Sequence, residues 1–177
     1  MIEHVPEMID AGIDSFKIEG RMKTALYVAT VARTYRKAID DYLEDPEKYK
    51  ANMEWYKEEI GKCTYREFTT GFYFGKPTTD SQIYDSNTYV KNYTYLGTVE
   101  EVREDGCCRI EQKNKFSVGE QIEIMKPDGR NVLVTVKGIT DEDGNAMESA
   151  PHPKQVLWVD LGSEVSPYDI LRRSEME

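Results

Sequence analysis

Near Tyr93 the spacing of apolar residues changes from steps of three and four to alternation, and this divides the 177-residue chain. A helix and a strand bury different positions of a given pattern, so the two halves require different elements. Before the change, Val28, Val31, Ala32, Tyr35, Ile39, Tyr42 and Leu43 form one apolar stripe and predict a helix over Thr24–Leu43. Arg33, Arg36, Lys37, Asp40 and Asp41 read as its solvated side. After the change, strands are predicted at Tyr93–Val102, Cys107–Gln112, Gln121–Met125, Asn131–Gly138, Gln155–Leu161 and near Ile170. Turn chemistry falls between them at Asp105-Gly106, Asp128-Gly129 and Asp143-Gly144. Short strands at such spacing predict a small closed or half-closed β-barrel, and the fold class is α+β.

The first half holds a puzzle. Glu3–Ala11 predicts a short helix stopped by Gly12, and Asp45-Pro46 opens another whose buried face is Tyr49, Met53, Tyr56 and Ile60, closed by Gly61. Between the first helix and the long one, Ile13–Glu19 reads as a strand, with Ile13, Phe16 and Ile18 supplying bulk. One strand cannot make a sheet. The segment therefore reads as the end of something larger or as an appendage on another domain. The expected domains are 1–62, a linker over 63–92 with the boundary in the polar stretch Thr78–Asn92, and 93–177.

Two stretches carry candidate chemistry. A strand that ends at a glycine and feeds a long helix is half of a βαβ unit, and ligands bind at the carboxyl end of such strands. There stand Glu19, Arg21 and Lys23, with Gly20 letting the backbone turn between the first two. The same residues serve equally as a polar loop leading into a helix. The second stretch, Cys63–Pro77, sets Phe68, Phe72, Tyr73 and Phe74 around Gly71 and Gly75, with Arg66 and Lys76 nearby. Aromatics among cations stack on bases or rings, and equally wedge a loop into a neighbouring domain.

Charge and cysteine usage narrow the classes. Met1–Lys91 carries 13 basic against 16 acidic residues and the remainder 10 against 17, so neither half has the basic excess of a strong nucleic-acid binder. Cys63, Cys107 and Cys108 lack a C-x-x-C spacing and read as free thiols, with Cys107 and Cys108 on opposite faces of a strand. His4 and His152 are far apart in sequence, and no metal site is expected from this chain alone. No apolar run reaches the ~18–20 residues that span a bilayer, and the N-terminus lacks a signal peptide's basic and apolar regions, so a cytoplasmic location is expected. No nucleophile–base pair stands out in the second half, and no Ser/His/Asp, Cys/His or H-E-x-x-H arrangement is visible.

The run Ser15-Phe-Lys-Ile-Glu-Gly-Arg-Met-Lys-Thr-Ala-Leu-Tyr through Asp40 closely resembles a signature of the collagenase-like peptidases, peptidase family U32. Arg66-Glu-Phe-Thr-Thr-Gly-Phe-Tyr-Phe-Gly75 resembles a second block of that family, and the part from Tyr93 onward is similar to its C-terminal domain. The resemblance implies the last strand–helix unit of a (β/α) barrel, trailing helices, and a β-barrel like those of translation elongation factors. It implies a missing N-terminal barrel as the partner, no cofactor in this chain, and an iron–sulfur cluster in the intact proteins of several members. Glu19, Arg21 and Lys23 become the expected catalytic residues, with Arg66, Phe72 and Tyr73 binding substrate. The family's implied activities are peptide hydrolysis and oxygen-independent hydroxylation of tRNA, rRNA or a quinone precursor. A non-catalytic module that binds RNA or protein is the remaining expectation.

Overall fold

The computed structural model describes residues 1–65, 68–76 and 91–176, which form two units, Met1–Asn92 and Tyr93–Glu177. The predicted connector over 78–90 and the candidate Arg66 lie outside the described residues.

The first unit is helical. A 3-10 turn at Ile2–His4 leads into α1 (Val5–Asp10), followed by α2 (Ala25–Glu44), α3 (Pro46–Ala51) and α4 (Met53–Ile60). Thr24 caps α2 by accepting the Tyr27 N–H at 3.3 Å, a contact of the kind that contributes about 1 kcal/mol. Asp45 leaves α2 in an extended conformation and caps α3, with Pro46 in its first turn. The single helix expected after Asp45 is broken at Asn52, whose side chain turns back to donate to Asp41 at 2.9 Å.

The stripe on α2 needs correction. Its most buried positions are Leu26, Thr30, Val31, Arg33, Thr34, Ala38 and Asp41, whereas Val28 and Leu43 are exposed. Thr30, Thr34 and Ala38 are small enough to let another helix approach closely, and the Thr34 hydroxyl is satisfied by the Thr30 carbonyl at 2.7 Å. Two residues predicted on the wet side are therefore inside. Arg33 forms an ion pair with Glu59 on α4, and both side chains are buried. The Asp41 carboxylate accepts from the Tyr56 hydroxyl at 2.5 Å and Lys37 at 2.9 Å, besides Asn52, and pairs with Lys48 at 3.0 Å. The unit's apolar core joins Ile2, Val5 and Met8 to Ala38, Tyr49 and Tyr56.

Ile13–Glu19 is not a strand. It has no regular secondary structure and is mostly exposed, and no strand of the first unit lies beside it among the described residues. A strand is defined by its ladder, and β-branched bulk without a neighbour cannot supply one. Amides over residues 11–23 should consequently exchange with solvent faster than those of the sheet in the second unit. Hydrogen exchange by mass spectrometry checks this, and equal protection would contradict it.

The second unit is an eight-stranded antiparallel sheet in the order β4-β3-β8-β1-β2-β7-β5-β6. Its strands are β1 (Tyr93–Val102), β2 (Cys108–Glu111), β3 (Gln121–Met125), β4 (Asn131–Thr135), β5 (Gly138–Thr140), β6 (Ala146–Met147), β7 (Val156–Asp160) and β8 (Ile170–Ser174). The run expected as one strand, Asn131–Gly138, divides in two. β4 pairs with β3 and β5 with β7, so consecutive residues serve the two ends of the order. The sheet curls, and its inner face encloses a continuous core of Leu96, Val99, Ile110, Phe116, Ile122, Ile124, Leu157, Val159 and Leu171, with others. Each such side chain contributes roughly 1.5–3 kcal/mol by leaving water.

The turns follow their sequences. Gly106 and Gly129 have φ of 85° and 95°, the left-handed region, and the aspartate before each accepts the backbone N–H two residues on. Gly97 answers a different need: a Cβ there would lie 3.2 Å from the Glu111 carbonyl and from Ile110, where β1 bulges.

Candidate functional site

The candidate site begins where the Ile13–Glu19 segment meets α2. Gly20 lies so close to the first turn of α2 that a Cβ would stand 3.2 Å from Val28 Cγ2 and 3.5 Å from the Tyr27 ring. The backbone then turns, with the Lys23 N–H donating to the Gly20 carbonyl at 2.9 Å, and Thr24 starts the helix. The Glu19 carboxylate accepts the Arg21 N–H at 3.3 Å and lies 3.8 Å from Lys17 Nζ. The Lys23 ammonium sits 5.2 Å from the centre of the Tyr27 ring, a cation–π contact. Glu19, Arg21 and Lys23 line one open hollow of about 480 Å³ together with Gly20 and Met22. A guanidinium and an ammonium beside one carboxylate can grip a carboxylate or phosphate, while Glu19 orients the cations or exchanges a proton.

The aromatic stretch folds as a double turn. The Tyr73 N–H donates to Thr70 and the Gly75 N–H to Phe72, while Gly71 and Gly75 take φ of 55° and 134°. Three consecutive rings are displayed: Phe72 is 78% exposed, and Tyr73 and Phe74 are each 62% exposed. The Phe74 ring packs on His4, 4.5 Å between centroids. A second cleft, of about 380 Å³, has Phe16, Ile18 and Glu19 on one side, Phe68 and Tyr73 on another, and Tyr35 among its lining residues.

The structure thus brings Glu19 and Tyr73 to one cleft, and Glu19, Arg21 and Lys23 to an adjoining hollow. Phe72 lines a separate shallow surface with Met1 and Thr70. Sequence reasoning missed the buried charges Arg33, Glu59 and Asp41. Their signal was spacing: Arg33 and Asp41 fall on the face that carries Thr30, Thr34 and Ala38.

A cysteine that ligates a metal or cluster does so as a thiolate. Cys63 is buried and donates to the Ile60 carbonyl at 3.4 Å, while burial pushes the Cys108 thiol up to about 12. Burial also raises the partly exposed Cys107, helped by its hydrogen bond to Asp105. Among the described residues no three metal-binding side chains converge. No helix among the described residues is long and apolar enough to cross a membrane.

Residues 1–83 match peptidase family U32, and residues 91–172 match the peptidase family U32 C-terminal domain. The chain belongs to peptidase family U32. It is 39% identical over 176 residues to tRNA hydroxylation protein P1 of Bacillus subtilis, and 31% identical over 175 residues to tRNA hydroxylation protein P of Escherichia coli. These alignments cover 99% and 98% of this chain but 42% and 38% of those proteins. The chain therefore spans about two fifths of the length of these curated relatives. A collagenase of Porphyromonas gingivalis is 28% identical over 183 residues, covering 97% of this chain and 41% of that protein. Among solved structures, the C-terminal domain of a Geobacillus thermoleovorans U32 peptidase is similar over 45% of this chain and 99% of its own, at 28% identity and a TM-score of 0.42. The U32 family thus has tRNA hydroxylation proteins and collagenases among its members, and this chain is a partial counterpart of both.

Proposed function

We propose that this U32 chain belongs to a tRNA hydroxylation factor and contributes the phosphate- and base-gripping side of its active site. The observation that carries this reading is the alignment with the B. subtilis and E. coli tRNA hydroxylation proteins through both units, at higher identity than the aligned collagenase. In this reading Arg21 and Lys23 hold a phosphate or carboxylate by charge-assisted hydrogen bonds, Glu19 orients them or carries a proton, and Phe72 and Tyr73 stack on a base, with Arg66 beside them.

The segment Ile13–Glu19, which has no ladder here, then becomes a strand only when a (β/α) barrel from outside this chain supplies its neighbours. The open apolar groove beside it, about 500 Å³ and lined by Ile9, Ile13, Phe16, Ile18, Tyr35, Ile39 and Leu43, is the surface such a barrel would cover. The second unit is then the elongation-factor-like barrel of the family. An iron–sulfur cluster, where the intact protein has one, would supply redox chemistry from ligands other than these three thiols. The location is cytoplasmic, where tRNA is found. Peptide hydrolysis is the second reading, favoured by the similarity to the collagenase.

Arg21→Ala in the intact protein is expected to lower the hydroxylated fraction of tRNA at least tenfold, the effect of losing one charge-assisted contact, with thermal stability unchanged. Nucleoside mass spectrometry on tRNA from a complemented deletion strain reads this. An unchanged level would remove the proposed role. Full hydroxylation in the deletion strain, with gelatin cleavage by the purified intact protein, would replace the tRNA reading with the peptidase one.

A further inference from the structure

Tyr168, in the turn between β7 and β8, has a φ of 75° and is 80% exposed. The left-handed region suits glycine, asparagine or aspartate, and a bulky side chain there is a true outlier that its surroundings must hold in place. Its surroundings impose the conformation. The Tyr168 N–H donates to the Val99 carbonyl at 2.8 Å, and the Asp169 carbonyl accepts from Val99 N–H at 2.8 Å. The Asp169 carboxylate holds the Ser166 N–H at 2.9 Å and the buried Lys126 ammonium at 2.8 Å. A turn fixed this firmly would accept glycine at lower cost. The ring that strains it is turned to solvent, so its contribution to the unit's own packing is small. Strain of this kind, held by an over-determined frame, accompanies sites that engage something else.

The neighbourhood narrows the partner. Ser166, Pro167 and Glu164 beside the ring are exposed, whereas the nearby apolar side chains Val165 and Ile170 point inward and are buried. A protein interface needs apolar neighbours around its aromatic anchor to exclude water. A nucleobase needs only one exposed ring face. The strand register brings other groups to the same end of the sheet: Met125 and Thr98 both pair with Ile170, Cys108 with Val159, and Gly138 with Asp160. That end therefore carries Arg103, stacked 3.4 Å over the Trp158 ring, Arg130, paired with Asp128 at 2.6 Å, and Lys137, whose stem lies against Gly162. Glu104, Asp105, Asp128 and Glu164 stand among them, so the contact draws on stacking more than on phosphate charge.

We propose that Tyr168 is a base-stacking contact for single-stranded nucleotides of tRNA, held in a strained turn at one end of the second unit's sheet. This rests on the tRNA reading above. The test measures affinity of the 177-residue chain for labelled unfractionated bacterial tRNA across a range of salt, with thermal midpoints in parallel. Tyr168→Phe is expected to bind within twofold of the unaltered chain. Tyr168→Leu and Tyr168→Gly should bind about tenfold more weakly, with the salt dependence unchanged because no phosphate contact is lost. Tyr168→Gly should also melt no lower than the unaltered chain, which separates binding from folding. Equal tRNA affinity in the Leu and Gly variants would overturn the proposal. So would failure of the unaltered chain to bind tRNA at low salt, or cross-linking through position 168 to protein and not to tRNA. In each case the Arg21→Ala measurement on the intact protein still judges the tRNA reading separately.

Discussion

Replacing Asp41 by alanine is expected to unfold the helical unit at temperatures where the β unit stays intact. Asp41 is a carboxylate on which three helices converge, receiving Lys37 from α2, Lys48 from α3, the Tyr56 hydroxyl from α4, and Asn52 at the break between the last two. Removing it leaves the buried Tyr56 hydroxyl without its 2.5 Å acceptor, takes a carboxylate partner from Lys37 and from Lys48, and loosens the break at Asn52. Losing one partner of a buried charged network costs about 3–5 kcal/mol. That approaches the whole stability of a unit of this size. Calorimetry should show an early transition absent from the unaltered chain, and a single unshifted transition would contradict the assignment. The same network predicts acid sensitivity. Burial alone would push the Asp41 carboxyl up, but the hydrogen bonds from Tyr56, Lys37, Lys48 and Asn52 outweigh it and hold the group well below the usual carboxylate range. A depressed folded value means that its contribution is complete above the unfolded value of about 4 and fades as pH falls below it. The helical unit should therefore lose stability below about pH 4, and Asp41→Asn should flatten that dependence.

The counterpart in the β unit is Arg172. Its side chain is fully buried, its Nε donates to Glu123 at 2.6 Å across the β3–β8 pair, and its guanidinium lies 5.0 Å from the centre of the Tyr93 ring. Arg172→Met should destabilise the unit by about 3 kcal/mol, because Glu123 is left half-buried without its cation. Adding Glu123→Leu should recover most of that loss, since well-packed apolar pairs replace buried ion pairs at little cost. Urea titration of the two variants gives the comparison. A double variant as weak as the single one would mean that packing of the arginine stem, and not its charge, holds the strands together.

These two residues also mark the limit of what the sequence discloses. Alternation and Asp-Gly turns are local properties, and they delivered β1 and β3 with the same bounds as the structure. The division between β4 and β5 was harder. The run Asn131–Gly138 reads as one strand, but its pairing partner changes between Thr135 and Gly138, and a partner is not encoded in the run itself. The same reason defeated Ile13–Glu19, which has the composition of a strand and no ladder. On α2 Val31 is buried and Tyr35, Ile39 and Tyr42 pack against the core as the stripe predicts, but Val28, Ala32 and Leu43 are exposed, and the most buried face adds Thr30, Thr34 and Ala38 with two paired charges. Hydropathy cannot tell a solvated aspartate from one with four side-chain partners, three of them beyond its own helix. At the candidate site, the closeness of Glu19, Arg21 and Lys23 was legible because a tight turn joins them. The meeting of Glu19 with Tyr73 was not, because tertiary packing sets it.

The position of β8 has a consequence for how this chain comes into being. Although it follows the other seven strands in the sequence, it lies between β1 and β3 and hydrogen-bonds to both. A ribosome can release the β1–β2 and β3–β4 hairpins early, but among the described residues the strand that pairs with both β1 and β3 is complete only when the residues around Arg172 leave the exit tunnel. Until then the facing edges of β1 and β3 wait unpaired, and the half-made sheet is a substrate for chaperones and proteases. A nascent chain cut short by even this one strand never closes that seam, so incomplete copies are marked for removal by their own geometry.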